Sequence, residues 1–334
     1  MLSRIAEYHY WLGRYIERAE NTARIVADYY QTQLDTGKQD GAPSQRWAMI
    51  LEVVGEMDAY QQRYSTVKPA EVEQFVTFDR TNPSSILSCV TQARENARGI
   101  RDQISSELWL TLNRMYLELR GAGWEGDVDA EALGFYEKVK EQSCLIDNLI
   151  DSTILHDAGW RFLRLGRNIE RALQTARILQ VRYHYINPQT PLPERPIEVQ
   201  RWLSLLRSVS GSEIYSKLYR ATVAPRSVVE LLVLHPHFPR SLRFAATQLH
   251  NLLRLLSASR PESYTGEAER LSGRLASELV YSTLEEIERA GVVAYLLQKE
   301  NELNAIGDHI HHCYFGYAPP AVLPATQSYQ FQAF

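Results

Sequence analysis

Apolar residues recur near the start of the chain in steps of three and four. Ile5, Tyr8, Leu12, Ile16, Ala19, Ala23, Val26 and Tyr30 form a single stripe, the pattern of a helix with one buried face. Arg14, Glu17, Arg18, Asn21, Arg24 and Asp28 follow the same steps beside it. The polar set is therefore a second stripe bordering the core rather than a scatter. The spacing predicts a helix that opens with Ser3 as its cap, runs to about Leu34 and stops at Thr36-Gly37-Lys38-Gln39-Asp40-Gly41.

The chain writes this pattern twice. The stretch from Leu12 to Ile25 returns as Leu165 to Ile178 at an offset of 153. Leu, Gly, Arg, Ile, Glu, Arg, Ala, Thr, Ala, Arg and Ile are identical, 11 of 14 positions without a gap. This is an internal repeat. Its charged members recur with the apolar ones: Arg14, Glu17, Arg18 and Arg24 as Arg167, Glu170, Arg171 and Arg177. Gly13 returns as Gly166. Glycine inside a helix costs about 1 kcal/mol against alanine, so its return predicts that another backbone comes close there. Gln45-Arg46-Trp47 is matched by Gln200-Arg201-Trp202 at an offset of 155. Pro83, Ser85, Thr91 and Gln92 are matched by Pro239, Ser241, Thr247 and Gln248 at an offset of 156.

Between these anchors the pattern stays helical. Helices are predicted from Gln45, over Pro69–Thr77, from Ser85, over 105–120 and 130–155, and from Asp157 to Tyr185. Further ones fall near 198–207, 213–221, 226–233, 240–258 and 264–279, with a long helix over 283–314. Residues 121–127 read as a loop and 187–196 as a proline-rich linker. No alternating strand pattern occurs. The predicted fold is an all-α bundle of two duplicated halves related by pseudo-two-fold symmetry. Residues 1–155 form the first half, 156–317 the second packed on it, and 318–334 an extended tail.

Two readings of the repeated charges stand side by side. In the structural one, the two equivalent helices cross near Gly13 and Gly166, Glu17 pairs with Arg171, and Glu170 pairs with Arg18; such pairs fix register at a desolvation cost. In the other, Arg14, Glu17, Arg18 and Arg24 with Arg167, Glu170, Arg171 and Arg177 line a cleft for an anionic ligand or a peptide, since the arginine fork suits carboxylate and phosphate.

The phrase Trp11-Leu12-Gly13-Arg14-Tyr15-Ile16-Glu17-Arg18-Ala19-Glu20-Asn21-Thr22-Ala23-Arg24, with its second copy, resembles the bacterial alpha-E family, a helical domain named for a Glu-Arg motif. Asp79, Asn82, Pro83 and Ser85 ahead of Cys89, then Ala93-Arg94-Glu95-Asn96-Ala97-Arg98 and Trp109, carry the resemblance further. Members are found encoded beside, or fused to, circularly permuted ATP-grasp proteins and transglutaminase-like cysteine protease homologues. The resemblance thus implies a partner role in making or remodelling peptide or isopeptide bonds.

Composition narrows the remaining chemistry. Over 334 residues, 45% are hydrophobic, enough for a sizeable core. A net charge of −4 argues against broad nucleic-acid binding. Cys89, Cys144 and Cys313 are far apart without paired spacing, which suggests reduced thiols and a cytoplasmic protein. No run of apolar residues is long enough to predict a membrane span.

His309, His312 and Cys313 share helix faces that suit zinc, but two ligands on one face do not make a site, so no metal is expected. Cys89 reads as a small core residue rather than a nucleophile. No glycine-rich phosphate loop is present, and no cofactor is expected. Asp79, Asn82 and Ser85 read as turn and cap residues. A ligand site, if the chain has one, is sought where the halves differ, around Asp79, Arg80, Arg94, Asn96, Arg98 and Arg101.

The resulting expectation is a non-catalytic accessory or scaffold protein that partners an ATP-grasp ligase and a transglutaminase-like protein, with a peptide substrate as a further candidate. The alternatives are an enzyme binding an anionic substrate through its Arg/Glu clusters, with a metal on the last helix, and a phosphate- or RNA-binding bundle whose binding would depend steeply on salt.

Overall fold

Helix α1 (Ser3–Thr36) and helix α8 (Ala158–His184) pack directly on each other and form the centre of the molecule. The computed structural model describes residues 2–36, 43–122, 128–185, 196–220, 222–259 and 263–316. Among these the chain is all-α, without a strand. Against α1 pack α5 (Ile86–Gly99) and α7 (Val128–Thr153), and α6 (Ser106–Arg120) packs on both of these. Against α8 pack α12 (Leu242–Ser257) and α15 (Val292–Phe315), and α13 (Glu267–Tyr281) packs on both of these. Each of the two central helices thus buries apolar residues against two flanking helices and sets charged residues against the other central helix.

The glycines explain the closeness of the crossing. A Cβ on Gly13 would lie 2.1 Å from the Leu163 carbonyl oxygen, and one on Gly166 would lie 2.0 Å from that of Tyr10. The contacts are reciprocal under the sequence offset, because Tyr10 and Leu163 are themselves 153 residues apart. The same two residues each cross into the opposite apolar core. Leu163 is buried in the core built from residues 12–150, and Tyr10, with Ala6 and Val53, in the core built mainly from residues 162–315.

Local signals position the surrounding helices. Ser85 caps α5 by accepting from the Ser88 amide at 3.1 Å, and Ser241 caps α12 by accepting from Phe244 at 3.0 Å. Ser105 caps α6, and Asp157 caps α8 through the Gly159 and Trp160 amides. Helix α4 (Pro69–Thr77) starts on its proline, as predicted.

Several boundaries differ from the sequence-based expectation. Ser3 is the first residue of α1 rather than its cap. A short helix, α3 (Met57–Gln61), follows α2 (Pro43–Val54). The element expected at 226–233 is α11 (Pro225–Val229) running into a π-helical turn, Glu230–Leu234. The long helix expected over 283–314 is broken. Helix α14 (Leu284–Ala290) ends at Gly291, whose φ of 85° no continuing helix allows, and α15 restarts beyond it. Residues 187–195 of the expected linker, the later part of the 121–127 loop and the 318–334 tail lie outside the described residues. Among the described residues no helix is long and apolar enough to cross a membrane.

Candidate functional site

At the crossing, the repeated charges meet across the interface. Glu17, 1% exposed, accepts from Arg171 Nε at 2.8 Å and Nη2 at 2.7 Å, a bidentate pair. Arg167 adds a third donor at 3.2 Å. Glu170 is held in the same way by the other helix: Arg18 donates through Nε at 2.6 Å and Nη2 at 3.0 Å, and Arg14 through Nε at 2.8 Å. Both cross-pairs expected from the repeat are therefore formed, and Arg14 and Arg167 take equivalent places beside them.

The next matched pair of arginines, Arg24 and Arg177, is also engaged. Arg24 binds Glu20 at 2.7 Å and the Ser210 hydroxyl at 2.7 Å. Arg177 binds Glu300 at 2.6 Å, and its guanidinium lies so close over Gly55 that a Cβ there would meet Nη1 at 2.8 Å. Gly55 and Ser210, 155 residues apart, are both left-handed, with φ of 78° and 51°.

Beyond these residues the two matched segments differ. Arg240, from the turn before α12, reaches Glu20 at 2.9 Å, the Asn21 side-chain oxygen at 2.8 Å and Glu17 at 3.4 Å. The residue at the equivalent place is Ser84, whose hydroxyl accepts from Arg18 at 3.4 Å. The network also takes in Asp147, which binds Arg164 at 2.6 Å and stands against Arg167. Sequence reasoning does not single out Arg240 or Asp147. The signal available for Arg240 is its place in a turn that matches Ser84 without matching its chemistry.

The electrostatics follow from this geometry. Burial opposes ionisation of Glu17, but Arg171, Arg240 and Arg167 outweigh it and hold the carboxyl well below its ordinary range. Burial likewise opposes ionisation of Glu170, and Arg18 and Arg14 outweigh it, bringing the group down to about 2. Arg240 is lowered to about 10 by burial and by the neighbouring Arg171.

Depressed carboxyl pKa values have a signed consequence. Below their ordinary value of 4.5 the unfolded chain binds protons that the folded one refuses. The stability these two groups supply is therefore complete above about pH 5 and drains as pH falls toward about 2. Urea unfolding followed from neutral to strongly acidic pH is expected to show a midpoint that is flat at first and then falls below about pH 5. A midpoint indifferent to pH across that window would contradict the buried pairing.

The other candidate residues stand in separate places. Asp79 binds Arg63 at 3.0 Å and closes a turn on the Thr81 amide at 2.8 Å. Asn82 donates to the Phe75 carbonyl at 3.0 Å and accepts from the Ser84 amide at 2.9 Å. These are the bonds of a turn and cap, and Arg80 beside them is exposed. Arg94 bonds Asn113 at 2.7 Å and Glu95 at 2.6 Å, with its guanidinium over Tyr116 at 4.8 Å and Trp109 at 5.5 Å. Arg98 is exposed and pairs with Glu95 at 3.5 Å. Arg101 reaches Ser106 at 3.2 Å. Asn96, on the same helix α5, has its side-chain nitrogen buried. Ser84 alone links them to the motif, giving its amide to Asn82 and accepting from Arg18 through its hydroxyl. Asp79, Arg94, Arg98 and Arg101 bond elsewhere, so the structure does not gather the set into one site with the motif.

Cys89 is fully buried, and burial pushes its thiol up to about 12, the state of a packed side chain rather than a nucleophile. His309, His312 and Cys313 lie along the last turns of α15, with His312 and Cys313 exposed. Among the described residues no three His, Cys, Asp or Glu side chains converge as a metal site.

Crossed central helices locked by reciprocal, buried Glu-Arg pairs define this as a helical bundle organised around an ion-pair core. The chain belongs to the Alpha-E family, described as a predicted alpha-helical domain with a conserved ER motif, whose model matches residues 1–315. It is 24% identical over 300 residues to uncharacterized proteins of Mycobacterium bovis and Mycobacterium tuberculosis, covering 84% of this chain. It spans only 32% of the length of those relatives. No solved structure matches.

Proposed function

We propose that this chain is a non-catalytic helical accessory protein of a peptide- or isopeptide-bond-forming system, working with an ATP-grasp ligase and a transglutaminase-like protease homologue. The observation that carries the non-catalytic part is the fate of the motif: both of its carboxylates are neutralised inside the fold by arginines of the opposite helix. Acids held that far below their ordinary pKa are poor proton shuttles at neutral pH. The partner part is supported by the setting in which alpha-E proteins are encoded. It is supported also by the mycobacterial relatives, in which the matching segment is joined to a larger remainder. We further propose that residues 1–155 and 156–317 are copies related by an approximate two-fold axis through the glycine crossing. That arrangement offers two similar outer faces to two partners.

Co-expression with an ATP-grasp ligase and a transglutaminase-like protein of the kinds encoded beside alpha-E proteins tests the proposal. Co-elution of at least one of them on size exclusion is the expected result. Absence of association with either, or turnover of a peptide substrate by the purified chain alone, would overturn it.

A further inference from the structure

A second feature of the repeat lies away from the Glu-Arg crossing. The first two turns of α2 and of α9 (Pro196–Ser208) carry the matched Gln-Arg-Trp phrases. Trp47 and Trp202 are both fully buried and anchor these turns. Their arginines, Arg46 and Arg201, face a common half-open cavity of about 150 Å³ lined by the C-terminal parts of α1 and α8 and by α2 and α9. Part of the lining is apolar, with Ile50, Val53, Ile178 and Leu205 among it. A cavity of this size accommodates a single benzene-sized ring.

The charges around it are nearly all matched. Asp28 accepts from Arg207 at 2.9 Å and from the Ser204 hydroxyl. Glu198 accepts from Arg182 at 3.2 Å and from Arg201, three residues further along α9, at 2.9 Å. Arg46 differs. Its guanidinium lies 4.6 Å over the Tyr29 ring and donates to the Tyr29 carbonyl at 3.5 Å. Among the described residues it has no carboxylate within ion-pair distance. The sequence explains why: at the offset that aligns Arg46 with Arg201, the counterpart of Glu198 is Pro43. One copy supplies its own carboxylate to the arginine, and the other lacks it.

We propose that this cavity binds a small organic carboxylate with a flat or branched apolar body. The carboxylate would take, at Arg46, the place that Glu198 takes at Arg201, and the body would lie against the apolar lining. Arginine's planar fork grips a carboxylate with two parallel bonds, and stacking on Tyr29 holds that fork in place. The cavity's size excludes a folded partner or a long peptide, and its apolar lining disfavours a bare inorganic anion. The proposal is independent of the partner reading above.

Benzoate is the probe. Isothermal titration and thermal melting of the full chain are expected to show one benzoate site of about 1 mM or tighter, with a raised melting temperature. Benzyl alcohol, of the same shape without the charge, and inorganic phosphate, with charge and no body, are expected to bind at least tenfold more weakly. Arg46→Gln should lose benzoate by tenfold or more, with its unliganded melting temperature unchanged. Met49→Trp, which places bulk at the half-buried rim while keeping Arg46, should lose it as well, so the result does not depend on one variant folding. Absence of benzoate binding, equal binding of either control compound, or undiminished binding in a folded variant would each overturn the assignment.

Discussion

Gly13→Ala is expected to be the most damaging single-methyl change in this chain. In an ordinary helix interior the substitution stabilises by up to about 1 kcal/mol. Here the new methyl carbon would sit 2.1 Å from the Leu163 carbonyl oxygen and 3.2 Å from the Arg167 amide nitrogen. Both obstacles are backbone, so no rotamer change relieves the overlap, and α1 and α8 must move apart. Separation would stretch the short bonds to Glu17 and Glu170 together, because both clusters bridge the same pair of helices. We expect a loss of at least about 3 kcal/mol, toward the top of the range for overpacked interiors. The melting temperature should fall by roughly 6 °C or more. Gly166→Ala should behave alike, since its Cβ would meet the Tyr10 carbonyl at 2.0 Å. Gly134→Ala in α7 is the control. It has open space around it and should be neutral or slightly stabilising. Equal melting of all three variants with the parent protein would show that the helices do not cross as described.

Glu17→Gln is expected to be nearly as costly, for an electrostatic reason. It keeps the shape of the side chain but leaves Arg171, itself buried, without its counter-charge. Breaking one side of a buried pair costs about 3–5 kcal/mol. Chemical denaturation should show the midpoint moving down with the slope unchanged. The double variant Glu17→Leu with Arg171→Met should be less destabilised than either single change. In it Arg167 still has Asp147, and Arg240 still has Glu20, so both arginines that Glu17 would leave behind keep a carboxylate. Additive losses would show that the two residues do not act as a pair. A Glu17 variant that melts like the parent yet fails to bind a partner would transfer the motif from structure to recognition.

How much is legible in the sequence can be judged at particular residues. The crossing is legible because glycine in mid-helix has a cost, and a cost repeated at offset 153 demands a reason. The cross-pairs of Glu17 with Arg171 and of Glu170 with Arg18 are legible because the charges recur at fixed places on one helix face. Arg240 is not, because it is brought to Glu17 from a turn 223 residues away. The buried Lys299, which binds Glu302 at 3.0 Å and stands against Glu278, is likewise illegible. A lysine in a mixed-polarity helix carries no local mark of its burial. The break at Gly291 escapes a sequence reading because the apolar pattern runs through it, while only the backbone angle reveals a C-terminal cap.

Residue order alone is enough for the helical class, the match of residues 12–25 with 165–178 and the makeup of the ion-pair stripe, since these rest on periodicity and identity within a few turns. The folded chain was needed to learn which arginine stands beside which carboxylate beyond the two repeated pairs, and that Arg46 and Arg201 face one cavity. Those facts depend on how elements far apart in the chain are brought together, and short-range spacing does not encode that distance.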